Sequence, residues 1–125
     1  MNTPAVSIII PVLNEADGIV QALERLQGFR AQGAEIIVVD GGSNDDTAEC
    51  ARSLADCVTT SRRGRALQLN AGAGLASGDV LLFLHADTLL PSSALELVRA
   101  AVGNGGCWGR FDVHIEGAIR GLGMV

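Results

Sequence analysis

Three apolar runs recur along the chain, and polar residues follow each of them within a few positions. The runs occupy residues 5–10, 35–40 and 80–84, and their interiors are almost entirely apolar. A strand with one solvent-exposed face alternates apolar and polar residues, whereas a strand that is buried on both faces is apolar throughout. The runs therefore predict strands of a parallel sheet that has a layer of helices on each side.

Segments with apolar residues at helical intervals separate the three runs. This alternation predicts an α/β fold, a Rossmann-like three-layer sandwich around a mostly parallel central sheet. The small residues of the central helix, Gly72 and Gly74 among them, indicate that this helix packs closely on the sheet. Helices are predicted to start near Asn14, Ser43, Arg63 and Pro91, with inner faces formed by Ile19, Leu23, Leu26, Leu69, Ala73, Ala76, Leu95, Val98 and Val102.

Two of these helices carry a capping box, Ser43 with Asp46 and Ser93 with Glu96. The first box predicts a helix that extends to about Leu54. The remaining predicted elements are a short strand at 57–59, a strand at 108–115 and a helix from Gly117 onward.

Length, charge and composition narrow the class of protein. The 125 residues fit a single domain, residues 1–125, and 48% of them are hydrophobic, which suffices for a core. The net charge of −5 argues against a nucleic-acid partner, because such a partner needs a broad cationic face. Three cysteines without a CxxC spacing predict reduced thiols in a cytoplasmic protein. No apolar run approaches the ~20 residues of a membrane-spanning helix; peripheral attachment to an inner membrane and homo-oligomerisation are left open.

Segments that carry polar residues follow the three apolar runs, at 11–15, 40–43 and 85–87. In open α/β sheets, ligands bind outside the carboxyl ends of the strands. Asp40 can accept hydrogen bonds from a base or a ribose there, although a carboxylate at this point also serves as a helix cap. The glycines after Asp40 would let the backbone approach a ligand. We therefore predict a binding site at this edge of the sheet.

Charged residues near the same edge indicate a phosphate-bearing ligand. Asp87 is a hard oxygen ligand of the kind that Mg²⁺ or Mn²⁺ prefers. His85 is a second ligand, a ribose contact or a packed histidine. Arg65, like Arg63, either neutralises phosphate charge at the start of a helix or lies in solvent. The sequence lacks the G-x-x-x-x-G-K-[ST] loop and the G-x-G-x-x-G fingerprint, which argues against kinase-type and NAD-binding sites.

Several segments, taken in order, resemble the family 2 glycosyltransferases of the GT-A fold. Residues 6–15 look like the family's opening strand and nucleotide loop, and residues 38–47 look like its second strand and acidic turn. Residues 64–79 are similar to its central helix, and residues 83–88 to its DxD element. The last element, with residues 109–113, resembles a bacterial branch associated with radical-SAM and selenium-domain proteins.

This resemblance implies an enzyme that transfers a sugar from a UDP- or GDP-sugar to an acceptor, generally with inversion of the anomeric carbon. Asp40 would read the base, and Asp87 would bind the Mn²⁺ or Mg²⁺ that assists departure of the nucleoside diphosphate. The sequence departs from the family at His85, which replaces the first Asp of DxD. Nucleotide contacts are implied for Pro11, Leu13, Glu15, Asp40, Arg65 and His85.

The catalytic base of the family has no recognisable counterpart in this sequence. Asp112 and Glu116 are the late acids and the weak candidates, and neither lies in a base motif. We therefore expect residues 1–125 to be the donor-binding portion of a longer enzyme, with the base beyond Val125. Two alternatives stay open: a non-catalytic nucleotide-binding module, and a phosphatase of the haloacid-dehalogenase type, in which His85 would replace the nucleophilic Asp.

Overall fold

A four-stranded parallel sheet organises the first part of the chain. Its strands are β1 (Val6–Val12), β2 (Glu35–Asp40), β3 (Cys57–Thr60) and β4 (Val80–Phe83). Their order in the sheet is β3-β2-β1-β4, so β1 and β2 are the central strands. The computed structural model describes residues 4–103, 109–113 and 119–124. The predicted α/β fold with a parallel sheet is confirmed. The helices around this sheet are α1 (Ala16–Glu24), α2 (Gln27–Ala31), α3 (Thr47–Ala51) and α4 (Arg65–Leu75).

The two central strands are buried on both faces, which explains why their sequences are apolar throughout. Ile8 pairs with Ile36 and Ile9 pairs with Ile37 in the parallel register, and all four side chains are fully buried. Side chains alternate along a strand, so Ile8 and Ile36 face one helix layer while Ile9 and Ile37 face the other. Burying one such side chain stabilises the fold by about 1.5–3 kcal/mol.

Helix α4 lies very close to the sheet because Gly72 has no side chain. Ile9, Ile37 and Val39 form a buried cluster on this face. A Cβ placed on Gly72 would lie 2.5 Å from Ile9 Cγ2 and 3.1 Å from Val39 Cγ2. The prediction of close packing from small residues is therefore correct. The partly buried residues that pack against the cluster are Cys57, Leu69, Ala71, Ala73 and Ala76, and they include the three predicted inner positions of α4.

A polar network fastens the amino edge of the sheet. Ser7 is fully buried, and its hydroxyl donates to Glu35 Oε1 (2.8 Å) and accepts from the Gly78 N–H (2.9 Å). Glu35 also accepts from the backbone N–H and the hydroxyl of Ser77, at 2.9 and 3.0 Å. Burial acts to raise the pKa of Glu35, but the hydrogen bonds from Ser77 and Ser7 outweigh it and hold that pKa below its usual 4.5.

The edge strand β4 differs from the prediction. The run at 80–84 predicts a strand covered on both faces, yet Leu81 and Phe83 are exposed while Val80 and Leu82 are half-buried. Within the described residues, β4 pairs with β1 alone. The position of a strand at a sheet edge depends on topology, which an apolar run does not encode.

The prediction of a capping box at Ser43 is wrong. Helix α3 spans Thr47–Ala51, which is shorter than predicted, and Asp46 at its N-cap makes no side-chain capping hydrogen bond. The Ser43 hydroxyl donates instead to Asp40 Oδ1. The serine therefore stabilises the end of β2 rather than the start of a helix.

The residues from Thr88 onward belong to a second compact unit. Its helix α5 (Ala94–Gly103) begins directly after Ser93, close to the predicted helix start at Pro91. Leu95 and Val98 are buried in this helix as predicted, whereas Val102 is half-buried. Within the described ranges, no helix has both the length and the apolar character needed to cross a bilayer.

The helix predicted from Gly117 onward is wrong. Residues Ile119–Met124 form a strand, β6, which pairs antiparallel with β5 (Gly109–Val113). Glycine disfavours a helix interior, and Gly121 and Gly123 interrupt this segment. Strand β5 corresponds to the predicted strand at 108–115, whose remaining positions lie outside the described residues.

The contrast between Gly72 and Gly74 within α4 gives a matched test of the packing. Gly72→Ala should lower the free energy of unfolding by about 1–3 kcal/mol, because the new methyl group overlaps Ile9. Gly74→Ala should raise it by about 0.4–1 kcal/mol, because nothing lies within 4 Å of a Cβ at Gly74 and alanine favours a helix. Urea unfolding of the two variants measures both values. Equal effects would contradict the close approach of α4.

Candidate active site

Two loops interlock at the carboxyl edge of the sheet. The Asn14 N–H donates to Ser43 Oγ and the Asn44 N–H donates to Asn14 Oδ1, both at 2.8 Å. Asn14 has a φ of +52°, a left-handed conformation that asparagine tolerates better than most residues. The loop after β1 is thereby tied to the loop after β2. The sequence offers no direct signal for this contact, because the partners are about thirty positions apart.

The acidic turn after β2 also holds the start of α1. The Glu15 N–H donates to Thr47 Oγ1 at 2.8 Å, and the Ala16 N–H donates to Asp45 Oδ2 at 3.3 Å. Asp45 Oδ1 accepts from both the hydroxyl and the N–H of Thr47. The hydroxyl of Thr47, followed by these N–H groups, lowers the pKa of Asp45 below its usual 3.8. The position of Glu15 is thus fixed by residues of the neighbouring loop.

Asp40 lies at the end of β2 with its carboxylate oriented by Ser43. Asp40 is almost fully buried, and its Oδ1 accepts from the N–H (3.0 Å) and the hydroxyl of Ser43. Among the described residues, no group donates to Oδ2, which is left as an acceptor for a ligand. Val12 pairs with Asp40 in the sheet, and Pro11 and Leu13 are the neighbours of Val12 in the chain. This arrangement suits an acceptor for a base N–H or a ribose hydroxyl.

Arg65 and His85, twenty positions apart, are brought into direct contact. Arg65 Nη2 donates to His85 Nε2 across the site, and both side chains are exposed. Because a guanidinium can only donate, Nε2 must act as the acceptor in this contact. Nδ1 is the nitrogen that this contact leaves for a ligand. The contact links the start of α4 to the loop after β4.

A cleft of about 360 Å³ lies beside α1 and holds Glu15 together with Asp87. Glu15 Oε2 is buried without a hydrogen-bond partner in the described part of the chain. Burial, and then the negative charges of Asp87 and Asp45, raise the pKa of Glu15 above its usual 4.5. The lining residues are Glu15, Gly18, Gln21, Arg25, His85, Ala86 and Asp87.

The carboxylates of the cleft fit a divalent cation. Within the described residues, no three His, Cys, Asp or Glu side chains form a complete metal site. Asp87 and Glu15 nevertheless present oxygen ligands to one cleft, and Glu15 Oε2 has no partner there. Burial is the main cause of the raised pKa of Glu15, and a cation would offset the repulsion from Asp87 that adds to it. Mg²⁺ and Mn²⁺ both favour such oxygens, and a diphosphate would supply ligands beyond these two carboxylates.

The structure therefore brings most of the predicted site residues to one edge of the sheet. Glu15, His85 and Asp87 share the cleft, and Arg65 contacts His85. Sequence reasoning missed Gln68, whose buried side chain lies beneath this edge. The available signal was its position on α4 four residues before Gly72, which places an amide on the apolar face.

The position of the catalytic base stays a prediction. The resemblance to the family implies a base beyond Val125, with Asp112 and Glu116 as the weak candidates within the chain. Asp112 lies in β5, in the second unit, whereas Glu116 and Val125 lie outside the described residues. None of the described residues at the carboxyl edge is assigned as the base.

The sequence matches the family described as Glycosyl transferase family 2 over residues 7–118. The chain therefore belongs to glycosyl transferase family 2. An uncharacterised glycosyltransferase of Mycobacterium tuberculosis is 35% identical over 111 residues. The match covers 83% of this chain and 42% of that relative, so the chain spans less than half of the relative's length.

Solved structures of transferases share the fold. A mannosyltransferase from Pyrobaculum calidifontis, in complex with GDP-Man and Mn²⁺, has a TM-score of 0.66 and 30% sequence identity. The similarity covers 81% of this chain and 32% of that one. Glucosyl-3-phosphoglycerate synthase from Mycobacterium tuberculosis, solved with Mn²⁺, UDP and glucosyl-3-phosphoglycerate, has a TM-score of 0.67 at 24% sequence identity. This similarity covers 79% of this chain and 39% of the synthase chain. These neighbours support the GT-A architecture that the sequence predicts.

The raised pKa of Glu15 predicts a characteristic dependence of stability on pH in metal-free buffer. In the unfolded chain, Glu15 ionises near its usual pKa of 4.5, whereas in the folded chain its pKa is higher. The contribution of Glu15 to stability is therefore lost as the pH rises above about 4.5. Glu15→Gln should consequently gain stability relative to the wild type between pH 4 and pH 7.5. Chemical unfolding at both pH values measures this difference, and parallel curves for the two proteins would contradict it.

Proposed function

We propose that residues 1–125 form the nucleotide-sugar-binding portion of a family 2 glycosyltransferase domain. The donor would lie across the carboxyl edge of the sheet, and its sugar would be transferred to an acceptor. The observation that carries this proposal is the convergence of Asp40, Arg65 and the Glu15–Asp87 cleft on one edge. Membership of glycosyl transferase family 2 favours this function over that of a phosphatase.

The nucleoside would bind at the β1 and β2 ends of this edge. Ser43 holds Asp40 Oδ1, so Oδ2 would accept an N–H of the base. Pro11 and Leu13 would pack against the nucleoside from β1, and Glu15 would accept from a ribose hydroxyl. A guanine or uracil ring presents ring N–H groups to such a carboxylate. The mannosyltransferase solved with GDP-Man supports a GDP-sugar as the first donor to test, with UDP-sugars as the alternative.

The diphosphate would bind at the β4 end. Arg65 would neutralise phosphate charge, and His85 would hold the arginine in place through the contact between their side chains. Asp87, assisted by Glu15, would hold Mn²⁺ or Mg²⁺ against the phosphate oxygens. When bound, the metal would stabilise the negative charge that develops on the departing nucleoside diphosphate. Its presence in the neighbouring mannosyltransferase supports this role.

The remaining features of the reaction are part of the same proposal. Transfer would proceed with inversion of the anomeric carbon, as the family resemblance implies. The base would lie beyond Val125, and Asp112 and Glu116 are the candidates that this chain itself offers. We assign donor binding to these residues 1–125, in a protein of the cytoplasm or of its membrane surface. The His85–Asp87 element supports placement in the bacterial branch associated with radical-SAM and selenium-domain proteins.

Calorimetry with GDP-mannose and UDP-glucose tests donor binding. With Mn²⁺ present, at least one of them should bind, and removal of the metal should weaken binding about tenfold or more, since the cation bridges protein and diphosphate. Asp87→Asn should make the affinity independent of Mn²⁺. Asp79→Asn is the matched control, because Asp79 lies at the amino edge, where it accepts from the Ala5 N–H. Absence of binding at millimolar donor would refute the proposal, and an Asp87→Asn protein that still responds to Mn²⁺ would move the metal elsewhere.

A further inference from the structure

Gln68 is a buried amide that joins three parts of the carboxyl edge. Its side chain is 5% exposed. Nε2 donates to Val12 O at the end of β1 and to Val39 O near the end of β2, each at 3.0 Å. Oε1 accepts from the Gly64 N–H at 3.3 Å, and the Gln68 N–H donates back to Gly64 O at 2.9 Å. One side chain thus contacts both central strands and the residue before Arg65.

The positions of these partners relate Gln68 to both ends of the proposed donor site. Val39 directly precedes Asp40, which would read the base. Gly64 is the N-cap of α4 and directly precedes Arg65, which would meet the phosphates. Gly64 has a φ of +140°, a conformation that side chains rarely adopt, so the turn before Arg65 depends on local hydrogen bonds. Gln68 therefore fixes the distance between the two groups that a nucleoside diphosphate would contact.

The chemistry of the site requires a neutral amide of this length. Gln68 gives a donor to the two strand carbonyls and an acceptor to the Gly64 N–H, and a neutral amide can do both with one side chain. A glutamate would place a carboxylate oxygen against these carbonyl oxygens. A leucine would remove all three hydrogen bonds and leave Val12 O with the Gly41 N–H. Leaving a buried polar group unsatisfied is costly, and the backbone would move to recover its hydrogen bonds.

Gly41 makes room for this amide. A Cβ on Gly41 would lie 2.8 Å from both Cδ and Oε1 of Gln68. The Gly41 N–H also donates to Val12 O at 3.0 Å, the same carbonyl that accepts from Gln68. The sequence prediction gives the glycines after Asp40 a role in approach to the ligand. The structure shows that Gly41 has another role, because only a residue without a side chain leaves space here for the amide of Gln68.

We propose that Gln68 is a positioning residue that sets the separation of Asp40 and Arg65, so that one nucleoside diphosphate can contact both. This inference rests on the proposed function. It adds that the Asp40 end and the Arg65 end of the site would contact different parts of the ligand. Loss of Gln68 should weaken a ligand that spans both ends far more than a ligand that reaches only the Asp40 end.

Gln68→Leu tests this separation, with Gln32→Leu as the matched control, since Gln32 is an exposed residue at the end of α2. In Gln68→Leu, GDP with Mn²⁺ should bind about tenfold to a hundredfold more weakly, the range expected when two contact groups are misplaced by about 1 Å. Guanosine, measured by NMR titration, should change about threefold or less by the same argument. Equal losses for both ligands, or no loss for GDP, would overturn the positioning role.

A second pair of variants covers the case in which Gln68→Leu does not fold. Gly41→Ala should weaken GDP binding in the wild type, because the new methyl group displaces the amide. In a Gln68→Ala background, the same change should have little further effect, because the overlapping amide is gone. Additive losses would contradict the proposal.

Hydrogen exchange separates failure of this proposal from failure of the proposed function. The Gly64 amide should exchange slowly in the wild type and at least about tenfold faster in Gln68→Leu, because its acceptor is removed. If the wild type binds neither guanosine nor uridine nucleotides, the proposed function fails and the positioning role fails with it, whatever the exchange rates. If the wild type binds nucleotide but the Gly64 amide exchanges equally in both proteins, the positioning role alone is overturned.

Discussion

The burial of β1 and β2 on both faces is the constraint on which the rest of the structure depends. A polar side chain inside such a strand must find a partner within the protein, because desolvation without a hydrogen bond is costly. Ser7 meets this requirement through Glu35 and Gly78. The other polar groups of the central strands lie at their ends. The position of the candidate site therefore follows from the core, since charged side chains lie at the ends of these strands and not along them.

The two edges of the sheet are fastened by different chemistry. At the amino edge, the carboxylate of Glu35 accepts hydrogen bonds from Ser7 and Ser77. At the carboxyl edge, the neutral amide of Gln68 joins the strand ends. A neutral group suits this edge because it adds no charge beside Asp40. Asp40 and Glu15 there each keep one oxygen without a donor among the described residues, an arrangement that would suit the cation and nucleotide of the proposed function.

The sequence predicts the strands well and the contacts between loops poorly. The runs before Pro11, Gly41 and His85 are long and apolar enough to identify β1, β2 and β4, and the rule that ligands bind at strand ends then identifies the edge. Ser43 matches a helix cap and an aspartate partner equally well by sequence, and only the path of the chain decides between them. The strand at Ile119–Met124 depends on pairing with β5, which local propensity does not contain. The spacing of Gln68 from Gly72 indicates the packed face of α4, but the strand carbonyls that its amide contacts are not encoded locally.

The hydrogen bonds around Ser43 have a direction. The backbone N–H of Asn14 can only donate, so Ser43 Oγ accepts from it. The Ser43 hydroxyl has a single proton, which it donates to Asp40. The Ser43 amide points at the same carboxylate oxygen. Every dipole in this short chain therefore has its positive end toward Asp40, and the dipoles reinforce one another. A serine hydroxyl that is free to rotate in solution is here held in one orientation by the backbone on one side and the acid on the other.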